Sequence, residues 1–387
     1  MNITEFFGML GVHIALVLFC LGYLVIGAIS IRYANKFSGP AELVEPKNLP
    51  FISVVIPTYN EEEIIASRLD SLLTTSYPSN KMELVIVDSS NDSTPSIIES
   101  YTRKYPMIRL IRDTERRGLA TALNQAYRAC KGEIVVKVDS DLVLATDTLV
   151  QIISRFKDPR VGAVTGKVNV ANHDGVSREV SYRGLQEKIQ RAETNIDSMF
   201  MAHPFAAYRR HLMKDYKPRE YGDETIQTIH IRKLGYRVIY DPKSNFYESF
   251  PEDGKERLRQ KVRRSEGLIR VLFENSDMLF NPKYGKFGRY VFPSNFFMFI
   301  ISPALLFITL AVAVIDLAFF SAATYLDALI LAAFAITYFG RKLSVLSSVW
   351  TFIELQYVQF RGLLNVTILR KDDYKWKKIE RVASQQT

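Results

Sequence analysis

Cysteine is nearly missing from this chain of 387 residues, with only Cys20 and Cys130 present. That argues against a disulfide framework and against a cysteine-built zinc site. Histidine is scarce too: five occur, with no His-Glu-x-x-His spacing, which disfavours a zinc hydrolase. There is no Walker-A loop and no Gly-x-Gly-x-x-Gly, so a P-loop or dinucleotide reading lacks support. Charge is only mildly unbalanced, with 50 Lys and Arg against 41 Asp and Glu for a net +9. A basic excess of this size fits a nucleic acid, an anionic membrane or an anionic substrate. Hydrophobic residues at 48% and charged residues at 24% are ordinary for a folded protein and exclude global disorder. The near-zero mean hydropathy averages two very different kinds of segment.

The apolar segments come first. Gly8 to Ile31 is an uncharged run of 24 residues, long enough to cross a bilayer. No Lys or Arg precedes it, which disfavours a cleaved signal peptide. A second uncharged run covers Tyr290 to Ile315. After Asp316 and Asp327 a third continues to Gly340. The pattern predicts a helical hairpin, about Val291 to Ile315 and Ala322 to Phe339, with both aspartates near its tip because charge at mid-bilayer is costly. Arg32 and Lys36 follow the first span. Lys283, Lys286 and Arg289 precede the second, and Arg341 and Lys342 follow the third. The positive-inside rule then places residues 32 to 289 and the C-terminus in the cytoplasm and the N-terminus outside. Leu343 to Leu369 is interrupted by Glu354, Gln356, Gln359 and Arg361, which predicts an amphipathic helix on the membrane. The tail Arg370 to Arg381 carries six basic and three acidic residues, a composition suited to anionic headgroups. The membrane thus accounts for most of the basic excess, and nucleic acid is not needed as a partner.

The resulting division is an anchor and linker at 1–49, a polar domain at 50–285, a membrane hairpin at 286–341, and an interfacial helix with a basic tail at 342–387. In the polar domain short apolar runs alternate with helical stretches. Strands are expected at Phe51–Ile56, Leu84–Val87, Ile108–Arg112 and Ile134–Val138. Helices are expected at Glu61–Thr75, Ser93–Tyr105 and Gly118–Lys131. This alternation predicts an α/β fold with a parallel sheet covered on both faces. Ligands of such sheets bind beyond the carboxyl ends of the strands. Three of those ends run into Pro57-Thr-Tyr-Asn-Glu61, Asp88-Ser-Ser-Asn-Asp92 and Asp139-Ser-Asp141. Any one of them reads equally as a turn or helix cap. Together they put acidic and polar groups on one edge. Asp139 and Asp141 are placed to hold one hard divalent cation, Mg²⁺ or Mn²⁺, with positions left for phosphate oxygens.

The ordered set of motifs resembles the family 2 glycosyltransferases of GT-A fold, in the membrane-bound, cellulose-synthase-like branch. The motifs are Pro57-Thr-Tyr-Asn-Glu-Glu62, Val87-Asp-Ser-Ser90, Gly118-Leu-Ala-Thr-Ala-Leu-Asn124 and Val138-Asp-Ser-Asp141. They continue with His203-Pro-Phe-Ala-Ala-Tyr-Arg-Arg210, Gly222-Asp-Glu224, Leu234-Gly-Tyr-Arg-Val238 and Gln260-Lys-Val-Arg-Arg264. The resemblance covers about residues 50 to 275 and extends to the hairpin. It implies that Pro57, Thr58, Tyr59, Glu61 and Asp88 hold the nucleoside of a nucleotide-sugar, and that Asp139 and Asp141 meet its diphosphate and a Mn²⁺ or Mg²⁺ ion. It further implies that Gln260, Arg263 and Arg264, at the place of a Gln-x-x-Arg-Trp motif, meet phosphate, which suits the planar guanidinium fork. Glu224, or alternatively Asp223, takes the place of the general base of an inverting transfer. Phe205, Tyr208 and a helix from Gly184 to Phe200 are expected to approach the acceptor.

Four positions depart from the family pattern: Glu224 where the base motif usually ends in Asp, Leu119 where Lys is frequent, Ser89 where Asp is frequent, and Arg264 in place of the motif's Trp. Loss of that Trp weakens a polymerising reading. The expectation is transfer of one sugar, mannose from GDP-mannose, to a polyprenyl- or dolichyl-linked glycan at the cytoplasmic face of a plasma or internal membrane. A processive synthase using a UDP-sugar and an inactive membrane-tethered scaffold are the competing readings.

Overall fold

The computed structural model describes residues 3–34, 43–170, 177–201, 203–217, 220, 223–248, 253–319, 325–341 and 343–369. Its centre is an eight-stranded sheet. In chain order the strands are β1 (Ile52–Thr58), β2 (Met82–Asp88), β3 (Ile108–Arg112), β4 (Ile134–Val138), β5 (Leu142–Leu144), β6 (Val161–Val170), β7 (Phe205–Arg209) and β8 (Arg237–Glu248). They lie side by side as β3-β2-β1-β4-β7-β6-β8-β5. β3, β2, β1 and β4 are mutually parallel, as the alternation of strand and helix predicts. The other half is mixed: β7 is antiparallel to β4 and β6, and β5 to β8, whereas β6 and β8 run parallel.

The polar domain's helices are α2 (Ile65–Leu73), α3 (Thr94–Lys104), α4 (Leu119–Ala129), α5 (Thr148–Ser154), α6 (Ser177–Ile196), α7 (Asp223–Lys233) and α8 (Gly254–Glu274); α1 (Ile3–Ala34) precedes them. Strand residues alternate between two cores. Ile52, Val54, Ile56, Val136 and Val138 join α2, α3 and α5 in one. Val55, Val85, Val87 and Val135 join α4, α7 and α8 in the other. α4 starts after Gly118, whose φ of 97° lies in the left-handed region that glycine enters without steric cost. Helix ends shift from expectation: α2 begins at Ile65 rather than Glu61, and α6 runs Ser177–Ile196 rather than Gly184–Phe200.

The second core continues without a break into the apolar helices. π-helical turns at Phe287–Val291 and Phe297–Ile301 join α9 (Phe292–Phe296) to α10 (Ser302–Phe319). Phe287 through Ala318 is therefore one long apolar helix. It and the stretch Ile14–Tyr33 of α1 are long and apolar enough to cross a membrane; α11 (Tyr325–Phe339) is shorter. Asp316 in the last turn of α10 and Asp327 in the first turn of α11 are both buried, near the expected hairpin tip. The predicted interfacial helix is α12 (Ser344–Thr367). Two of its interruptions, Glu354 and Gln356, meet other elements, while Gln359 accepts from Gln356 within the helix at 3.3 Å and Arg361 is exposed. Gln356 closes a hydrogen-bonded ring: Ser302 Oγ donates to Gln356 Oε1 at 3.0 Å, Gln356 Nε2 donates to the Tyr23 hydroxyl at 2.8 Å, and Tyr23 and Ser302 hydroxyls lie 3.0 Å apart. Glu354 lies 3.9 Å from Lys261 of α8, and Asn365 donates to Glu266 of α8 at 2.5 Å. The basic tail lies outside the described residues.

One buried acid fastens the sheet domain to the long apolar helix. Glu193 of α6 accepts from the Phe200 backbone N–H at 3.0 Å and from Asn295 Nδ2 of α9 at 2.6 Å. Burial pushes its carboxyl up to about 7, and the two donors only partly oppose this. A carboxyl whose folded pKa is raised contributes stability that is fully present below its unfolded pKa, roughly 4.3. That contribution is lost as the pH climbs through about 7. At about 1.4 kcal/mol per unit the loss is about 4 kcal/mol. The wild-type melting temperature is therefore expected to fall between pH 5 and 8, and Glu193→Gln to flatten that slope. Equal slopes in thermal melts of the two detergent-solubilised proteins would remove Glu193 as the cause.

Candidate active site

The β1 and β2 strand ends are locked together before any ligand arrives. Asn60 takes a positive φ of 56°, which Asn tolerates better than most residues. Its backbone N–H donates to Ser90 Oγ at 2.7 Å, and its Oδ1 accepts from the Asn91 N–H at 3.0 Å. Glu61 N–H donates to Thr94 Oγ1 at 2.8 Å, and Ser93 N–H to Glu62 Oε2 at 3.0 Å. Asp88 is the hub of this edge. Its Oδ1 accepts from Thr58 Oγ1 at 2.8 Å and from Ser90 Oγ at 2.5 Å, and its Oδ2 meets the Arg112 guanidinium. Asp88 has no exposed surface, and Thr58 is also buried. Asp88 and Thr58, expected on the nucleoside side, brace this edge from beneath it. Pro57, Tyr59 and Glu61 remain partly exposed along it. The guanidinium of Arg116 stacks over Tyr59 at 3.9 Å from the ring centroid, adding a flat cationic surface that the motifs do not reveal.

The β4 end brings the charged groups together. Val135, Lys137 and Asp139 share one face by strand alternation. Lys137, only 1% exposed, lies 3.1 Å from Asp139 Oδ1 and pairs with Glu224 Oε1 of α7. Glu224 and Asp139, predicted for different roles, thus meet through a lysine that the sequence reading passed over. Its signal was there: one charge in the apolar run Ile134-Val-Val-Lys-Val138. Asp139 and Asp141 stay partly exposed at the turn, while the Asp223 side chain lies outside the described residues.

From α8, Gln260 is buried, and Arg263 and Arg264 are partly buried. Arg264 does not point freely at a phosphate site. Its Nη2 donates to Glu248 Oε1 at 2.9 Å, and Arg183 of α6 holds Glu248 Oε2 at 3.2 Å. Burial disfavours the Arg264 charge, but Glu248 foremost, then Glu224 and Asp139, raise its pKa above the ordinary arginine value. Nearby His203 lies beside Gln190 Oε1 at 3.0 Å. Burial, with the Arg183 and Arg264 charges, lowers its pKa well below the usual range and keeps it neutral. Phe205 and Tyr208 are fully buried in β7, where Phe205 packs on Phe246. These two rings, expected to approach the acceptor, leave no surface exposed: Phe205 lies in the first core and Tyr208 in a third, smaller cluster with Met199, Leu212, Ile231 and Tyr240.

Among the described residues no group of three or more His, Cys, Asp or Glu is placed to hold a metal. The donor set at the turn is Asp139 and Asp141, two hard oxygen ligands with solvent access. That fits a divalent cation whose remaining ligands are phosphate oxygens or water. It does not fit an ion caged by protein alone.

Comparison with known proteins agrees with this chemistry. The sequence profile of glycosyl transferase family 2 matches residues 53–217. An N-acetylglucosaminyltransferase of Rhizobium meliloti (strain 1021) is 27% identical over 268 residues, covering 64% of this chain and 63% of the relative. The match thus spans less than two thirds of that relative's length. A poly-beta-1,6-N-acetyl-D-glucosamine synthase of Staphylococcus aureus (strain COL) is 27% identical over 286 residues, 70% of this chain and 67% of that protein. Among solved structures, the mannosyltransferase PcManGT of Pyrobaculum calidifontis, in complex with GDP-Man and Mn²⁺, superposes with a TM-score of 0.77 at 25% identity. It covers 93% of this chain and 100% of that one. With its parallel strands, its Asp139-Ser-Asp141 turn and its acidic α7 in this arrangement, the chain has the GT-A fold of a glycosyltransferase, and its residues 53–217 match family 2.

Proposed function

We propose that the protein transfers a single mannose from GDP-mannose to a lipid-linked glycan acceptor at the cytoplasmic face of a membrane, with inversion at the anomeric carbon. The observation that carries this reading is the likeness to PcManGT over nearly the whole of both chains, the apolar helices included. The rhizobial and staphylococcal relatives favour a second reading, processive synthesis from a UDP-sugar. Channel geometry opposes it. Among the described residues two helices are long and apolar enough to cross a membrane, few for lining a glycan path within one chain.

In the proposed reaction Glu224 takes the proton of the acceptor hydroxyl as that oxygen attacks the anomeric carbon. The bond to the nucleoside diphosphate breaks on the opposite side. Asp139 and Asp141 would hold Mn²⁺ or Mg²⁺, which when bound supplies a Lewis acid for the charge on the departing diphosphate. Tyr59, Arg116 and Glu61 line the nucleoside side, on an edge held rigid by Asp88. Gln260 and Arg263 face the diphosphate from α8. The Glu193–Asn295 contact keeps the sheet domain seated on the apolar helices, beside a lipid-borne acceptor.

GDP-mannose, UDP-glucose and UDP-N-acetylglucosamine, offered in detergent with Mn²⁺ and membrane lipid, test the donor. Consumption of GDP-mannose alone, giving a small lipid-extractable product, is expected; a polymer from a UDP-sugar would overturn the reading in favour of the synthase. Chelation is expected to stop turnover, and Asp141→Asn and Glu224→Gln each to lower kcat by about 10²–10⁴-fold. NMR of the product decides the stereochemistry: a linkage with the donor's own anomeric configuration would exclude direct displacement.

A further inference from the structure

We infer that Lys137 is a positioning residue for the transfer, fixing the general base Glu224 against the donor-side aspartate Asp139. The inference rests on the reading of Glu224 as base. Three observations support it. First, Lys137 is 1% exposed in the middle of a central strand, flanked in register by Val55 of β1 and Ala206 of β7. An ammonium in such surroundings is tolerable only when paired. Second, the two carboxylates that pair with it among the described residues both belong to the proposed site. Asp139 and Glu224 lie 85 positions apart, on β4's end and α7, yet they meet at one nitrogen. Third, Arg264 of the α8 motif, whose charge also acts on Glu224 and Asp139, donates its Nη2 hydrogen bond to Glu248, whereas Lys137 meets both carboxylates directly.

The consequence is directional. A carboxylate accepts through both oxygens, so holding Glu224 Oε1 sets where Oε2 points. Asp139 fixes the other side of the same ammonium. Base and donor aspartate are thereby held at a set separation, as a displacement needs when the acceptor oxygen approaches opposite the leaving group. A buried ion pair of this kind is a poor source of stability, since apolar replacements of similar volume are commonly tolerated. Its value here is orientation.

The test is a double-mutant cycle with Lys137→Met, Glu224→Gln and the double variant, in the full-length detergent-solubilised protein. For each, kcat and donor KM are measured, together with binding of GDP (or UDP, if the donor panel selects it). Lys137→Met is expected to lower kcat by about 100-fold, the low end of what a mispositioned general base costs. Donor KM and nucleotide Kd are expected to stay within about threefold. The double variant is expected to be no slower than Glu224→Gln alone, because residues acting as one unit do not add. The inference is overturned if the two losses multiply, or if nucleotide Kd rises about tenfold, which would put Lys137 in donor binding. Full activity of Glu224→Gln would instead remove the base assignment itself. The double variant carries neither charge of the pair, so it keeps the cycle decisive even where Lys137→Met alone folds poorly.

Discussion

A lysine ammonium inside a β-sheet is costly, and the site is organised around meeting that cost. Lys137 points to the face that carries the second core, where α7 and α8 pack. Its charge obliges carboxylates to come to it: Asp139 from its own strand and Glu224 from α7. The same logic repeats one layer out. Glu248, 2% exposed, is balanced by Arg183 and Arg264, and those two positive charges hold His203 neutral. Acids and bases thus alternate from β4 across α8 to α6. Removing one member leaves its neighbour buried without a counter-charge, which is far costlier than losing a surface pair.

The nucleoside edge obeys a different constraint. It carries no comparable chain of alternating charge and is instead a rigid hydrogen-bonded seam. Asp88 ties Thr58, Ser90 and Arg112, and Asn60 and Asn91 cross-link the two loops. Such preorganisation lowers the ordering cost of binding a flexible nucleotide. Charge and rigidity are therefore divided between neighbouring strand ends: Asp88 builds the seat, and Asp139 and Asp141 remain open to solvent for a cation and its phosphates.

The apolar helices are joined to this machinery by specific contacts. Glu193 and Asn295 join α6 to α9, and the Lys261–Glu354 and Glu266–Asn365 pairs join α8 to α12. The Tyr23–Ser302–Gln356 ring then binds α1, α10 and α12 together. Polar groups among apolar helices are satisfied by one another, since little else is available there. A helix whose polar residues look from sequence like a water-facing stripe is in fact using them internally. Glu354, Gln356 and Asn365 thus tie α12 to α8, α10 and α1.

Local pattern alone was enough for much of this. Ile108–Arg112 and Ile134–Val138 fall where the apolar runs place them, because short runs rich in β-branched and apolar residues between turn signals favour strands even with a charge among them. The acidic strand ends and the long apolar helices were legible for the same reason, each being a local departure from a regular period, whereas Glu224 was reached through the resemblance carried by Gly222-Asp-Glu224. What required the tertiary structure was every relation across the chain. The antiparallel insertion of β7 cannot be read from its residues, since strand direction depends on the partner. Phe205 and Tyr208 look available from their motif and are buried because β7 lies between β4 and β6. Lys137 is one letter in an apolar run until α7 folds over it. A sequence records which charges exist; only packing decides which of them lose water together, and that loss makes Lys137, Asp139 and Glu224 a unit.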